Sequence, residues 1–248
     1  MRIFNISFLC LSLLYGIDTA PVNERIESAN AKEISFYANR LKVGESGIVL
    51  TEQQGYEMII ASAVITRIEG DRAYASIAPF SNIEQKYLPT PQASPKEGDK
   101  VIFGGFYNRA IAIAPNQESY NKILSSASNV SFSHIDLFAA FLAKDGINDP
   151  KPKHLRAFCN AYSIGLVYVF ASNGINVLDC QSFAILEVLS AQDVQDKQTQ
   201  APFFSRIPNI NTGSLASKLR SKKSRQYFSY YDDLLSPSLR AYKLTHKE

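Results

Sequence analysis

Between residues 33 and 108, apolar and polar positions alternate along short runs broken by turn residues, the pattern of half-buried antiparallel strands. SGIVLTEQ, EMIIASAVITRIE, RAYASIAPF and KVIFGGFY are rich in Val, Ile, Tyr and Phe, and Gly70-Asp71 and Gly98-Asp99 punctuate them. No helical period runs through this region. The connection IEQKYLPTPQASPKE holds three prolines, none of which can donate to a central ladder, so it is expected as a loop or an edge crossing. A small twisted sheet or partly closed barrel is the expected product.

From residue 109 to 191 the pattern changes to strands alternating with helices, which predicts a layered α/β unit. AIAIAP reads as a buried strand, QESYNKILSSA as a helix capped by Asn116, and NVSF as a short strand. Ser133 with Asp136 three residues on resembles a capping box for a helix that buries Leu137, Phe138, Phe141 and Leu142 and ends at Gly146. A further helix after PKPK carries Leu155, Phe158 and Tyr162 on one face, with Gly165 as its stop. LVYVFAS, the turn Asn173-Gly174 and INVLD form the strongest hairpin signal of the chain, and SFAILEVL returns as a third strand. The fold class is therefore α/β in the α+β sense: an antiparallel β module, a layered α/β domain, then a tail over 192–248. That tail opens with the polar linker AQDVQDKQTQ and holds two aromatic clusters, Phe203-Phe204 and Tyr227-Phe228-Tyr230-Tyr231. Aromatics at that density are expected to pack back on the body, with the stretch between them looping out.

The amino terminus has one Arg followed by an apolar run over residues 3–17, too short to span a bilayer and matching the hydrophobic region of a secretory signal peptide. Residues 1–20 are assigned to it. Export leaves Cys159 and Cys180 as a pair that could be a disulfide, two metal ligands or unrelated thiols. The compartment and the even count point to a structural disulfide closing a loop of about 22 residues, worth about 3 kcal/mol in the chain-entropy treatment. Zinc would need further ligands, and the sequence has no CxxC or HExxH and only His134, His154 and His246. No metal and no cofactor are expected.

The formal charge is +3, too small to identify a partner. Its distribution says more, because Lys218, Arg220, Lys222, Lys223 and Arg225 lie in LASKLRSKKSR without an intervening acid. Nucleic acid is excluded as a partner by the export signal, and a weak contact with an anionic membrane surface is the electrostatic expectation for this tail. Catalytic patterns are not found. His134 and Asp136 are two apart on a helix and do not face each other. Gly44-Glu45-Ser46-Gly47 lacks the spacing of a nucleophile elbow, and Gly104-Gly105 lacks that of a phosphate loop. The chain is read as a non-enzymatic protein.

LKVGESGIVLTEQQGYE, YLPTP with the later EGDKVIF, AIAIAPNQESY, CNAYSIG with Cys180, APFFSR and YFSYYD occur in an order, over residues 41–232, that resembles the amino-terminal domain of the plasminogen-binding surface proteins of spiral gastric and enteric bacteria. The resemblance includes both cysteines and their separation. It implies capture of host plasminogen at the bacterial surface through lysines at or near the carboxyl terminus. Those lysines enter kringle domains, which read a lysine as a paired cation and anion across an aromatic trough. Family members continue into a long Lys/Glu-rich extension ending in lysine, whereas this sequence ends Thr245-His246-Lys247-Glu248. The lysines expected to bind are therefore Lys218, Lys222, Lys223, Lys243 and Lys247, and feeble capture is the expectation. A looser likeness to flagellar-motor ring proteins and to the amino-terminal domain of the Tol translocation protein implies an alternative, a periplasmic scaffold with envelope or flagellar protein partners. Either way the expected location is the periplasm or cell envelope, with exposure at the surface under the first reading.

Overall fold

The computed structural model describes residues 17–80, 93–191, 198–207 and 223–236. Seven strands form the first sheet: β1 (Val22–Arg25), β2 (Ser28–Ala29), β3 (Glu33–Tyr37), β4 (Ser46–Gln53), β5 (Tyr56–Glu69), β6 (Arg72–Pro79) and β7 (Lys100–Phe103). All pairings are antiparallel, in the order β1-β7-β4-β5-β6-β3-β2. Gln54 and Gly55 both take positive φ, 54° and 80°, the geometry of a two-residue turn whose twist matches the β4–β5 hairpin. Register shifts at Val49/Leu50 and at Ile65/Arg67 sharpen the local twist and curl the sheet.

The curl closes on itself through residues 22–29. The Ile26 amide donates to the Asp99 carbonyl and the Gly98 amide to the Ile26 carbonyl, while the Glu27 amide donates to the Ser35 carbonyl. One segment thus pairs with β7 on one side and β3 on the other, which removes the free edges. Inside lie Ile34, Val49, Val101 and a stacked Phe36–Phe103 pair with ring centroids 5.1 Å apart. The antiparallel pattern starts at Val22, earlier than the alternation indicated. In VNERIESA only Val22 and Ile26 are fully buried apolar positions, with Ala29 packed at the core's margin, too few to register as a period.

The second sheet contains β8 (Arg109–Ile113), β9 (Ser131–Ser133), β10 (Leu166–Ala171), β11 (Gly174–Asp179) and β12 (Ile185–Leu189), in the order β12-β11-β10-β8-β9. β9, β8 and β10 are parallel, and β10, β11 and β12 form an antiparallel meander. Helices α1 (Gln117–Ser126), α2 (Ile135–Lys144), α3 (Pro152–Tyr162) and α4 (Tyr227–Leu235) accompany it. Every residue of β10 and β11 is buried, as expected of strands covered on both faces. Asn116 caps α1 as expected, its Oδ1 accepting the Ser119 amide at 2.9 Å.

Several sequence expectations shift. The cap of α2 is His134, whose Nδ1 accepts the Asp136 amide at 3.1 Å, and Ser133 belongs to β9. Helix α3 ends earlier than Gly165, at Ser163, which takes the left-handed conformation and donates its amide to the Cys159 carbonyl. Gly165 is instead required by a close approach, since a Cβ there would lie 2.5 Å from the Phe106 carbonyl carbon. The β10–β11 turn is Ser172-Asn173, one residue earlier than Asn173-Gly174, because Ala171 pairs with Gly174. Leu137 is 46% exposed and Tyr162 40% exposed, so each lies at the margin of a helix face expected to be buried. Phe158 and Cys159 are buried on α3, and Cys159 is bonded to Cys180 just past β11, with Cα atoms 6.4 Å apart. The bond ties α3 to the end of the hairpin.

Asp179, fully buried at the end of β11, joins the two sheets. Its Oδ2 accepts from the Ser46 amide at 3.0 Å, the Ser46 hydroxyl at 2.6 Å and the Tyr107 hydroxyl at 2.7 Å. Its Oδ1 accepts from the Gln181 and Ser182 amides, and the Ser182 hydroxyl donates to the Gly44 carbonyl. Burial, then the charge of Asp179, pushes the Tyr107 phenol well above its ordinary pKa, which keeps it a donor. A carboxylate with this many donors is stable without a cationic partner.

Candidate functional site

The two histidines within the described residues act on helix ends. His134 caps α2, and His154 Nδ1 accepts the Lys151 amide at 3.1 Å at the start of α3. Burial, then Lys153 and Lys151, lower the pKa of His154. Contrary to the helix-spacing expectation, Asp136 Oδ2 lies 3.3 Å from His134 Nδ1, because His134 is the extended N-cap and not part of the helix; the hydrogen bonds of Asp136 nevertheless run to the carboxyl-terminal extension. Its Oδ1 accepts the Ser205 hydroxyl at 2.8 Å and the Arg206 amide at 2.9 Å, and its Oδ2 accepts Arg206 Nε at 2.8 Å. Burial alone would raise its pKa, but the Arg206 side chain and amide, the Ser205 hydroxyl and His134 together hold it below the ordinary value. An open polar cleft at the start of α1 is lined by Asn116, Gln117, Glu118, Gln198, Thr199 and Gln200, and by neither histidine. Among the described residues there is no group of three metal-ligating side chains and no helix long and apolar enough to cross a membrane.

What the structure does build is a pair of anchors for the carboxyl-terminal extension. In the first, residues 198–207, the Gln200 amide donates to the Pro115 carbonyl and the Phe204 amide to the Ala114 carbonyl, continuing past the end of β8. Phe203 stacks on Phe138 at 5.5 Å, and Phe204 packs against Tyr120 at 5.4 Å. In the second, a single 3-10 turn over Lys223–Arg225 leads into α4. Ser224 donates its amide and hydroxyl to Asp149 Oδ1 at 3.0 and 2.7 Å. Asp232 accepts the amide and hydroxyl of Ser172 in the β10–β11 turn. Tyr227 is buried with its hydroxyl 2.9 Å from the Phe170 carbonyl oxygen and 3.1 Å from that of Ile113, and Tyr231 is fully buried beside it. Full burial of each such ring contributes about 1.5–3 kcal/mol, so both aromatic clusters hold the extension to the body, as their density indicated.

Both anchors bracket residues 208–222, with Lys218 and Lys222, which lie outside the described residues together with Lys243 and Lys247. For Lys223 the backbone is in the 3-10 turn, and its side chain is outside the described set. A second group of charges, with no motif to mark it in the sequence, lies at the corner between α2 and α3. Lys144, Asp145, Lys151 and Lys153 are exposed there.

A family model described as "Plasminogen-binding protein pgbA N-terminal" matches residues 21–235. The chain belongs to this family. Two curated relatives, each named Plasminogen-binding protein PgbA and coming from Helicobacter pylori strains J99 and 26695, are 40% and 39% identical over 234 residues. Each match covers 94% of this chain and 51% of the relative, so the chain spans about half the length of the curated relatives it matches. Both sheets and both anchors fall inside the family match. Lys218, Lys222 and Lys223 fall inside it too, and Lys243 and Lys247 lie beyond it.

Proposed function

We propose that this chain is a non-enzymatic binding protein of the cell envelope whose ligand is host plasminogen, captured through lysine side chains. The observation that carries the reading is the family match, which runs through the two sheets and both docked anchors and whose relatives are named for plasminogen binding. The architecture suits the role. Two sheets joined at Asp179, the second stapled to α3 by Cys159–Cys180, form a platform, and the anchors at Phe203-Phe204 and Tyr227-Tyr231 hold both ends of the stretch that carries Lys218 and Lys222. Fixing a binding segment in advance reduces the ordering cost of association. Lys223, Lys243 and Lys247 are the remaining candidate cations of the tail.

Immobilised plasminogen challenged with the purified chain tests this directly. Saturable binding that is displaced by 6-aminohexanoic acid, a lysine analogue, is expected. Absence of binding, or binding indifferent to the analogue, refutes the reading. Labelling of intact cells is expected to reach the protein, because plasminogen approaches from outside. Recovery only in a periplasmic extract would favour an envelope scaffold instead.

A further inference from the structure

The pattern of an export leader covers residues 1–20 of the sequence, yet the last four of these, Ile17 to Ala20, are built into the folded body. Ile17 is buried, 5% exposed, and belongs to the same apolar core as Tyr107, Ile123 and Phe138 around the second sheet. Its carbonyl accepts from Asn129 Nδ2 at 3.4 Å, and the same nitrogen donates to the Thr19 hydroxyl at 3.2 Å. Asn129 lies between α1 and β9, so one side chain beside the second sheet holds two residues of the segment. Asp18 reaches the first sheet instead. Its Oδ2 accepts Arg40 Nη1 at 2.7 Å, from the connection between β3 and β4, and its Oδ1 accepts the Ala20 amide at 3.0 Å. The four residues therefore touch the surroundings of both sheets before the chain enters β1 at Val22.

The ion pair is more than half exposed on both sides and contributes little. Ile17 is the contact that matters, because withdrawing an isoleucine from a packed core removes apolar burial and leaves a cavity. A residue discarded with a leader cannot complete the core of the mature protein. The chemistry of cleavage points the same way. A leader peptidase reads small residues at the first and third positions before the bond it breaks. A break after Ala20 would put Asp18 at the third of these and Pro21 directly after the bond. Upstream, Cys10-Leu11-Ser12 offers small residues at both positions.

We propose that the leader is cut upstream of Ile17, and that Ile17–Ala20 remain in the mature protein as a strap tying its amino-terminal segment to both sheets. This rests on reading the apolar run of residues 3–17 as an export leader.

The test takes the full chain with its own leader, expressed for export and recovered from the cell envelope, as wild type and as Ile17→Ala. Intact mass and the amino-terminal peptide of each are expected to give a first residue later than Met1 and no later than Ile17. Thermal unfolding of Ile17→Ala is then expected about 4 °C or more below wild type. A first residue at Asp18 or beyond overturns the inference and leaves the leader reading standing; residue 17 is then missing from both proteins, and they melt together. Equal melting with residue 17 retained overturns the strap. A protein that still begins at Met1 overturns the cut together with the leader reading.

Discussion

Glu45→Gln probes the seam between the two sheets. Glu45 is 8% exposed, immediately before Ser46, the residue that binds Asp179. Burial is the main cause lifting its carboxyl from 4.5 to about 7. The Lys42 amide opposes the rise, and the charge of Asp179 adds to it. The folded-state pKa is thus above the unfolded value, so the folded protein binds the extra proton between those limits. Stability from this group is fully present below pH 4.5 and is lost as pH rises through about 7. At about 1.4 kcal/mol per unit, the loss reaches about 3 kcal/mol by pH 8. Glutamine has nearly the same shape as the protonated acid and cannot ionise. In urea unfolding with the disulfide intact, the variant is expected to match wild type at pH 4.5 and to exceed it by about 2–3 kcal/mol at pH 8, read from the midpoint at unchanged m. Because every other titrating group is common to both proteins, the difference between them isolates Glu45. Parallel pH profiles, or a variant less stable than wild type at pH 8, would show that Glu45 is ionised in the fold and refute the reasoning.

Replacing both Cys159 and Cys180 with serine is expected to lower stability by about 3 kcal/mol in denaturant unfolding; a thiol titration finding both free in the oxidised protein would contradict the staple. Phe203→Ala should cost about 3–5 kcal/mol, because a ring stacked at 5.5 Å on Phe138 in a closed core leaves a cavity. Limited proteolysis should then cut first within residues 198–207, and an unchanged cleavage pattern would mean that the first anchor does not hold the extension. Gly174→Ala meets two obstacles, φ at 122° and a Cβ only 2.5 Å from the Leu189 carbonyl oxygen. A loss of about 2 kcal/mol or more in thermal or urea unfolding is expected, and a neutral result would show that the β11–β12 pairing yields there.

How much of this was readable in advance depends on where each signal resides. β4, β5 and β6 each place apolar residues on one face of a curled sheet, so alternation alone revealed them. Segment 22–29 closes the same sheet with only two fully buried side chains, Val22 and Ile26, and its role comes from backbone hydrogen bonds that leave no mark on residue type. Hydroxyls are the usual cap acceptors, which points to Ser133 for α2, yet the His134 Nδ1 serves as well when the first turn offers its amide. Asp136 meanwhile binds the Ser205-Arg206 anchor, a contact across 69 and 70 residues of chain that no local pattern encodes. Asp179 was equally silent. Its donors come from residues 46, 107, 181 and 182, and only the fold assembles them.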